Sequence, residues 1–248
     1  HLHALEGAWI DHPFWKTRFP PNAFRCRCRA MSISRDEYDR RKAAGTIETG
    51  APPDDPQTFV NQRSGEVSQV PAGVAPGFDY NPGIARATRL RQVAAEKIEA
   101  LPAPLAAAAV KDITSSQDFA RWLAHPEGAY PLIVIPDADA LSIGSKVHTG
   151  MLSADTATKQ VGAHPEMTAA EYALAQSVID GATDKVQDTA HSLIYIREEV
   201  TEEQGGHVLI VKATKTGRGL WVTSYRRLSR QEAERDAEVS RLLAKGKK

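Results

Sequence analysis

The chain has 248 residues, and its 31 Lys plus Arg are matched by 31 Asp plus Glu, for a formal net charge of +0. That length exceeds what one compact domain usually needs, so two units are expected; the balanced charge creates no global field toward nucleic acid, so any basic surface has to be local. No run of about 18 apolar residues occurs, which excludes a spanning helix and gives no reason to expect a membrane partner, and no signal-peptide pattern is present.

The chain opens on His1-Leu2-His3 rather than Met and reads as a piece of a longer protein. Residues 1–50 are polar and irregular, with Pro20-Pro21-Asn22 set against regular structure. Ser34 is placed to cap a short helix through Arg41, with Glu37 completing a capping box and Gly45 ending it. Cys26 and Cys28 are separated by one residue, and a disulfide across that gap is strained. A thiol or metal-ligand role in a reducing compartment fits better. Together with His3 and His12, and with His1 nearby, they supply the donors of a structural zinc knuckle, although Cys-x-Cys is tighter than the spacing of a finger. The alternative is a buried thiol pair beside aromatic side chains. Arg25, Arg27 and Arg29 around them either contact phosphate or acidic protein or form a solvated face.

Several separated features of this part match in order: His3, Leu5 and Gly7, the Phe14-Trp15 pair, Pro20-Pro21-Asn22, Cys26-Arg27-Cys28, and Gly77-Phe78-Asp79-Tyr80-Asn81-Pro82-Gly83. They resemble the C-terminal end of the F-type minor head proteins of Mu-like phages, over roughly the first third of the chain. Ala23 departs from that pattern, where the family more often has glycine. The resemblance implies phage capsid and portal proteins as partners, and a place in the virion head or the cytoplasm of the infected bacterium.

Residues 51–83 read as a linker, because Ala51-Pro52-Pro53-Asp54-Asp55-Pro56 and Val70-Pro71-Ala72-Gly73 hold neither a helix nor a central strand. Residues 84–129 read as a helical connector. An Ala-rich helix runs from Ile84 to Leu101, Pro102 and Pro104 break it, and a second covers Leu105 to Val110. A third, capped by Ser115 or Ser116, puts Phe119, Trp122 and Leu123 on one face and stops at His125-Pro126.

Residues 130–248 read as the C-terminal domain. Strands are expected at Tyr130 to Ile135 and Val147 to Leu152. Ser153 caps a helix to about Val161 that Gly162 stops. Thr168 and Glu171 form a capping box for a helix to Asp180. Strands at Lys185 to Thr189, Leu193 to Arg197, Val208 to Thr214 and Leu220 to Arg226 follow, with a turn at Thr216-Gly217, and a charged helix starts at Ser229. Helices followed by strands make an α+β domain, with the helices packed on a small antiparallel sheet.

If the Thr216-Gly217 turn has two residues, Lys212 faces Trp221, Ile210 faces Thr223 and Val208 faces Tyr225. Lys212, Thr223 and Tyr225 then share the open face, and Ser224 points to the core side. A bulge would exchange the two sets. His164, kept out of helical geometry by Pro165, sits between two helices, and His125 occupies the same His-Pro-Glu context. Taken alone, a loop histidine is usually solvated, and an exposed strand lysine usually snorkels.

Leu152-Ser153-x-Asp155-Thr156, His164-Pro165-Glu166 and the strands 207–212 and 221–226 resemble the phage-associated barnase–EndoU–colicin–RelE nuclease superfamily, over about residues 130–228. The resemblance implies metal-independent RNA cleavage by 2′-OH attack, with tRNA among the targets, and an immunity protein as a further partner. It implies a histidine in the helical half and basic and hydroxyl residues on the sheet. On that basis His164 is expected as acid or base, Lys212 as the charge stabiliser aided by Lys159 or Arg226, Thr223 or Ser224 as a hydrogen-bond donor, and Tyr225 as a stacking or proton-donating residue. No cofactor is expected for catalysis. The competing reading is a structural head-morphogenesis protein whose C-terminal domain binds RNA or capsid without turnover.

Overall fold

A computed structural model describes residues 13–47, 55–202 and 204–247. The chain divides into two compact units, His1–Ala87 and Thr88–Lys248.

In the first unit, α1 (Phe14–Arg18) and α2 (Arg35–Ala43) precede a hairpin of β1 (Pro56–Val60) and β2 (Val67–Pro71). The Ser34 hydroxyl accepts the Glu37 amide as the capping reading required, and Gly45 follows with φ 64°. The hairpin lies in the segment read as a connector. A two-stranded ribbon tolerates its prolines because Pro56 and Pro71 pair at the ladder's end. Val70 and Val74 are buried with Phe14, and the Ala75 amide donates to the Asn22 carbonyl at 2.8 Å.

The second unit is α+β. After α3 (Pro82–Glu99), which begins in the first unit, come α4 (Ala103–Thr114), α5 (Gln117–Ala124), β3 (Ala129–Val134), α6 (Asp137–Ser142), β4 (Thr149–Ser153), α7 (Ala154–Ala163), α8 (Ala169–Tyr172), α9 (Ala175–Asp180), β5 (Asp184–Thr189), β6 (Ser192–Glu198), β7 (Gly206–Ala213), β8 (Leu220–Arg227) and α10 (Glu232–Leu243). The six strands form one sheet in the order β3-β4-β8-β7-β6-β5. It is larger than expected and not wholly antiparallel, because β4 and β8 run parallel, with Gly150 beside Leu220 and Met151 beside Trp221.

Alternation divides the sheet into two faces. Leu152, Leu193, Tyr195, Leu209, Val211, Leu220 and Val222 point to one side, where Phe119 and Trp122 of α5, Ala157 of α7, Tyr172 of α8 and Val178 of α9 complete the main core. On the other side, α4 covers β3 through Ala106, Val110 and Val134. Val239 and Leu242 of α10 cover Val186, Ile194, Ile196 and Val208. Between these covers, Met151, Trp221 and Ser224 are only half-buried, and Lys212 and Thr223 are exposed. The second face therefore has an open strip along β4, β8 and the end of β7.

The first strand's free edge is closed by a side chain. Gln176 accepts the Val134 amide at 2.6 Å and donates to the Val134 carbonyl at 3.0 Å.

Candidate functional site

The expected hairpin register holds from Ala213–Leu220 through Lys212–Trp221 to Val211–Val222, then shifts. Thr223 is the extra residue of a bulge, so Ile210 faces Ser224, Leu209 faces Tyr225 and Val208 faces Arg226. The assignments of Ser224 and Tyr225 are thereby exchanged. Ser224 lies on the open strip, and Tyr225 turns into the main core with no exposed surface. Its hydroxyl donates to the Glu171 carbonyl at 3.0 Å, and burial pushes the phenol far above its ordinary range. The expectation that Tyr225 stacks on a base or donates a proton to substrate is corrected, because the group is sealed and already paired.

The bulge leaves Lys212 and Thr223 exposed on the strip, where the Thr223 hydroxyl donates to the Ile210 carbonyl at 3.3 Å. Arg226 is bound to Glu238 of α10. His164 and Lys159 belong to the other side of the sheet, at the end and on the exposed face of α7. His164 Nδ1 lies 3.2 Å from Glu166 Oε1. Its backbone, at φ −135° and ψ 79°, nearly repeats that of His125 at φ −138° and ψ 73°. Both His-Pro-Glu tripeptides therefore act alike, ending a helix because the following proline disfavours helical geometry. The sheet separates His164 from Lys212, so the expected constellation is not brought together.

One polar cluster is buried at the core's edge. Glu171 was read as the acidic partner of a capping box, and Thr168 does accept its amide at 3.4 Å. The carboxylate, however, turns to the cross-strand pair His207 and Arg227. His207 Nε2 donates to Oε1 at 2.5 Å, and Arg227 donates through Nε at 2.9 Å and Nη2 at 2.6 Å. Burial raises the Glu171 carboxyl, but the hydrogen bonds from Arg227 and His207 outweigh it and hold the group below its ordinary value. His207 and Glu171 are 3% and 6% exposed, which leaves substrate no access. This is an internal clamp joining α8 to the ends of β7 and β8.

An accessible grouping lies at the opposite end of those strands. Glu99, Asp137, Ser145, Lys146 and His148 line a cleft of about 190 Å³. Glu99 accepts the backbone amides of His148 at 3.0 Å and Thr149 at 2.8 Å and so fixes the start of β4. The imidazole sits between two carboxylates, with Nδ1 3.4 Å from Asp137 Oδ1 and Nε2 3.8 Å from Glu99 Oε2. Nε2 is buried without a hydrogen-bond partner, so exchange with a bound molecule runs through Nδ1. Lys146 is exposed, and its amide donates to the Gly217 carbonyl at 2.8 Å, which ties the cleft to the β7–β8 loop. Gly217, at φ 72°, has no room for a side chain there, because a Cβ would lie 2.3 Å from the Gly144 carbonyl oxygen. The cleft escaped the sequence reading because Glu99 and His148 meet across 49 residues with no motif between them.

In the first unit Cys26 and Cys28 are free thiols. Backbone hydrogen bonding at Asn22 lowers the Cys26 thiol, whereas the hydrogen bond with Cys26 and its charge raise Cys28. His3 and His12, the other proposed zinc donors, lie outside the described residues, and among the described residues no group of three or more His, Cys, Asp or Glu is placed to hold a metal. No helix among them is long and apolar enough to cross a membrane. The chain matches no family model, no curated protein and no solved structure.

Proposed function

We propose that residues 88–248 are a metal-independent endoribonuclease domain carried by a phage minor head protein, and that its reaction centre is the His148 cleft. The observation that carries this reading is the imidazole held between Asp137 and Glu99 with Lys146 lining the same cleft. In the proposed reaction His148 takes the proton of the ribose 2′-OH through Nδ1. The 2′ oxygen attacks phosphorus and the bond to the 5′ oxygen breaks, giving a 2′,3′-cyclic phosphate and a 5′-hydroxyl that takes its proton from water. Lys146 stabilises the charge gathered on the non-bridging oxygens. Glu99 positions His148 through the backbone, and Asp137 stabilises the imidazolium once Nδ1 has taken the proton.

The second reading, an RNA-binding domain without turnover, is favoured by the size of the cleft. Its 190 Å³ falls below the roughly 300 Å³ usual for small-ligand sites. One experiment separates the two. The purified chain is incubated with total RNA, tRNA included, in EDTA, and cyclic phosphate ends are measured. The proposal expects cleavage that His148→Ala lowers by about 10²–10⁴-fold. Full activity in that variant together with loss in His164→Ala returns the centre to the helical side. Absence of cleavage by wild type leaves the binding reading.

A further inference from the structure

The strip on the second face carries a combination found nowhere in the two clusters above. Lys146, Lys212, Lys215 and Arg218 are all exposed, and none lies within ion-pair distance of a carboxylate among the described residues. Several cations elsewhere in this unit are neutralised instead: Lys111 by Asp180, Arg197 by Glu199, Arg226 by Glu238 and Arg235 by Glu198. Lys212, Lys215 and Arg218 lie on the β7–β8 hairpin, and Lys146 meets its loop at Gly217.

Trp221 sits among them. It pairs with Lys212 across the antiparallel ladder and with Met151 across the parallel one. The loop 214–219 joins its strand to that of Lys212 and carries Lys215 and Arg218. The indole edge rests against Gly219, where a Cβ would meet Nε1 at 3.1 Å. A Cβ at that position would crowd the ring. Trp122, in the core, donates its indole N–H to the Glu127 carbonyl at 2.9 Å. Among the described residues Trp221 makes no such bond and no ring contact, and it is half-buried. A tryptophan that forgoes both a core position and a partner for its N–H, with the unpaired Lys212 opposite it and Lys215 and Arg218 on the adjoining loop, has the chemistry of a base-stacking platform beside a phosphate track.

We infer that this strip binds single-stranded RNA, with one base stacked on Trp221 and the flanking phosphates held by Lys212, Lys215 and Arg218. The inference rests on the nuclease reading for the kind of nucleic acid, and it adds the strand state and the residue that grips it. Lys146, which contacts the loop at Gly217, joins the strip to the His148 cleft, so a strand on the platform runs toward the proposed reaction centre. Duplex RNA does not fit, because stacking on an indole needs an unpaired base.

The test uses the full chain in EDTA and fluorescein-labelled 2′-O-methyl oligonucleotides, which bind but lack the nucleophile, so binding is read apart from cleavage. Anisotropy should show single-strand binding that weakens steeply with salt, and duplex binding at least about tenfold weaker. Trp221→Ala should weaken single-strand binding by about tenfold or more, and Trp221→Phe should restore most of it. Lys212→Gln with Lys215→Gln and Arg218→Gln should flatten the salt dependence. The melting temperature of each variant, measured alongside, identifies loss of fold, and the Phe variant gives the decision if the Ala variant unfolds. Equal affinity of wild type and folded Trp221 variants, equal binding of duplex, or no binding overturns the inference. Cleavage that persists in Trp221→Ala with unchanged binding sinks this inference alone. Stacking-dependent binding without cleavage by wild type sinks the nuclease reading alone.

Discussion

The Glu171 clamp makes a quantitative prediction about stability. Its carboxylate receives three charge-assisted hydrogen bonds, one from His207 and two from Arg227, at 6% exposure. Glu171→Ala removes the carboxylate that accepts from both the Arg227 guanidinium and the His207 imidazole at the core's edge. Breaking one partner out of a buried ionic group costs about 3–5 kcal/mol. In a domain of this size 1 kcal/mol moves the melting temperature by about 2–4 °C, so a fall of roughly 6–20 °C is expected. Replacing the whole cluster, Glu171→Met with His207→Leu and Arg227→Met, should cost much less, because no charge is stranded. The sign with pH also follows. The carboxyl is held below its ordinary value of 4.5, so its contribution is complete above that pH and is lost as the pH falls below it. Urea denaturation of wild type and Glu171→Gln across that range should show a steeper acid-side loss for wild type. A Glu171→Ala penalty under about 1 kcal/mol, or a triple variant as unstable as the single one, would refute the clamp.

Two further perturbations test other parts of the chain. Gln176→Leu removes both partners of the Val134 backbone and should cost about 1–3 kcal/mol for each buried group left unpaired, with faster aggregation on heating, read by denaturation and light scattering. At pH 8 an alkylating reagent should modify Cys26 before Cys28, because backbone hydrogen bonds at Asn22 and Cys28 favour the thiolate at Cys26 while the hydrogen bond with Cys26 disfavours it at Cys28; peptide mass spectrometry showing the reverse order contradicts that assignment.

Much of the architecture was legible because it is written locally. Ser34, Ser116, Ser153 and Thr168 each accept the amide three residues on, as capping requires. The strands of the C-terminal meander fall where alternating apolar residues put them. The register was right until Thr223, where one inserted residue turned Tyr225 inward; nothing in Val-Thr-Ser-Tyr marks the bulge, which arises from packing Tyr225 against Tyr172 and His207. The parallel pairing of β4 with β8 was illegible for a different reason. It depends on two strands far apart in the chain, and no local signal names the partner. Lys212 and Thr223 were placed on the open face and remain there. Trp221 was placed opposite Lys212 but given no role, and His148 escaped notice because its surroundings come from α3, α6 and the loop before β4 together.

The parallel ladder also sets a time order. Gly150 and Met151 find Leu220 and Trp221 only after β8 has left the ribosome, so through most of translation β4 has a partner on β3 alone. The loop that bears Lys215 and Arg218 arrives at the same late moment, and Lys146 has no Gly217 carbonyl to meet before then. Long-range pairings of this kind close last and slowly. A nascent chain therefore completes the lining of the His148 cleft, all of it within residues 99–148, well before Trp221 and its loop reach the sheet.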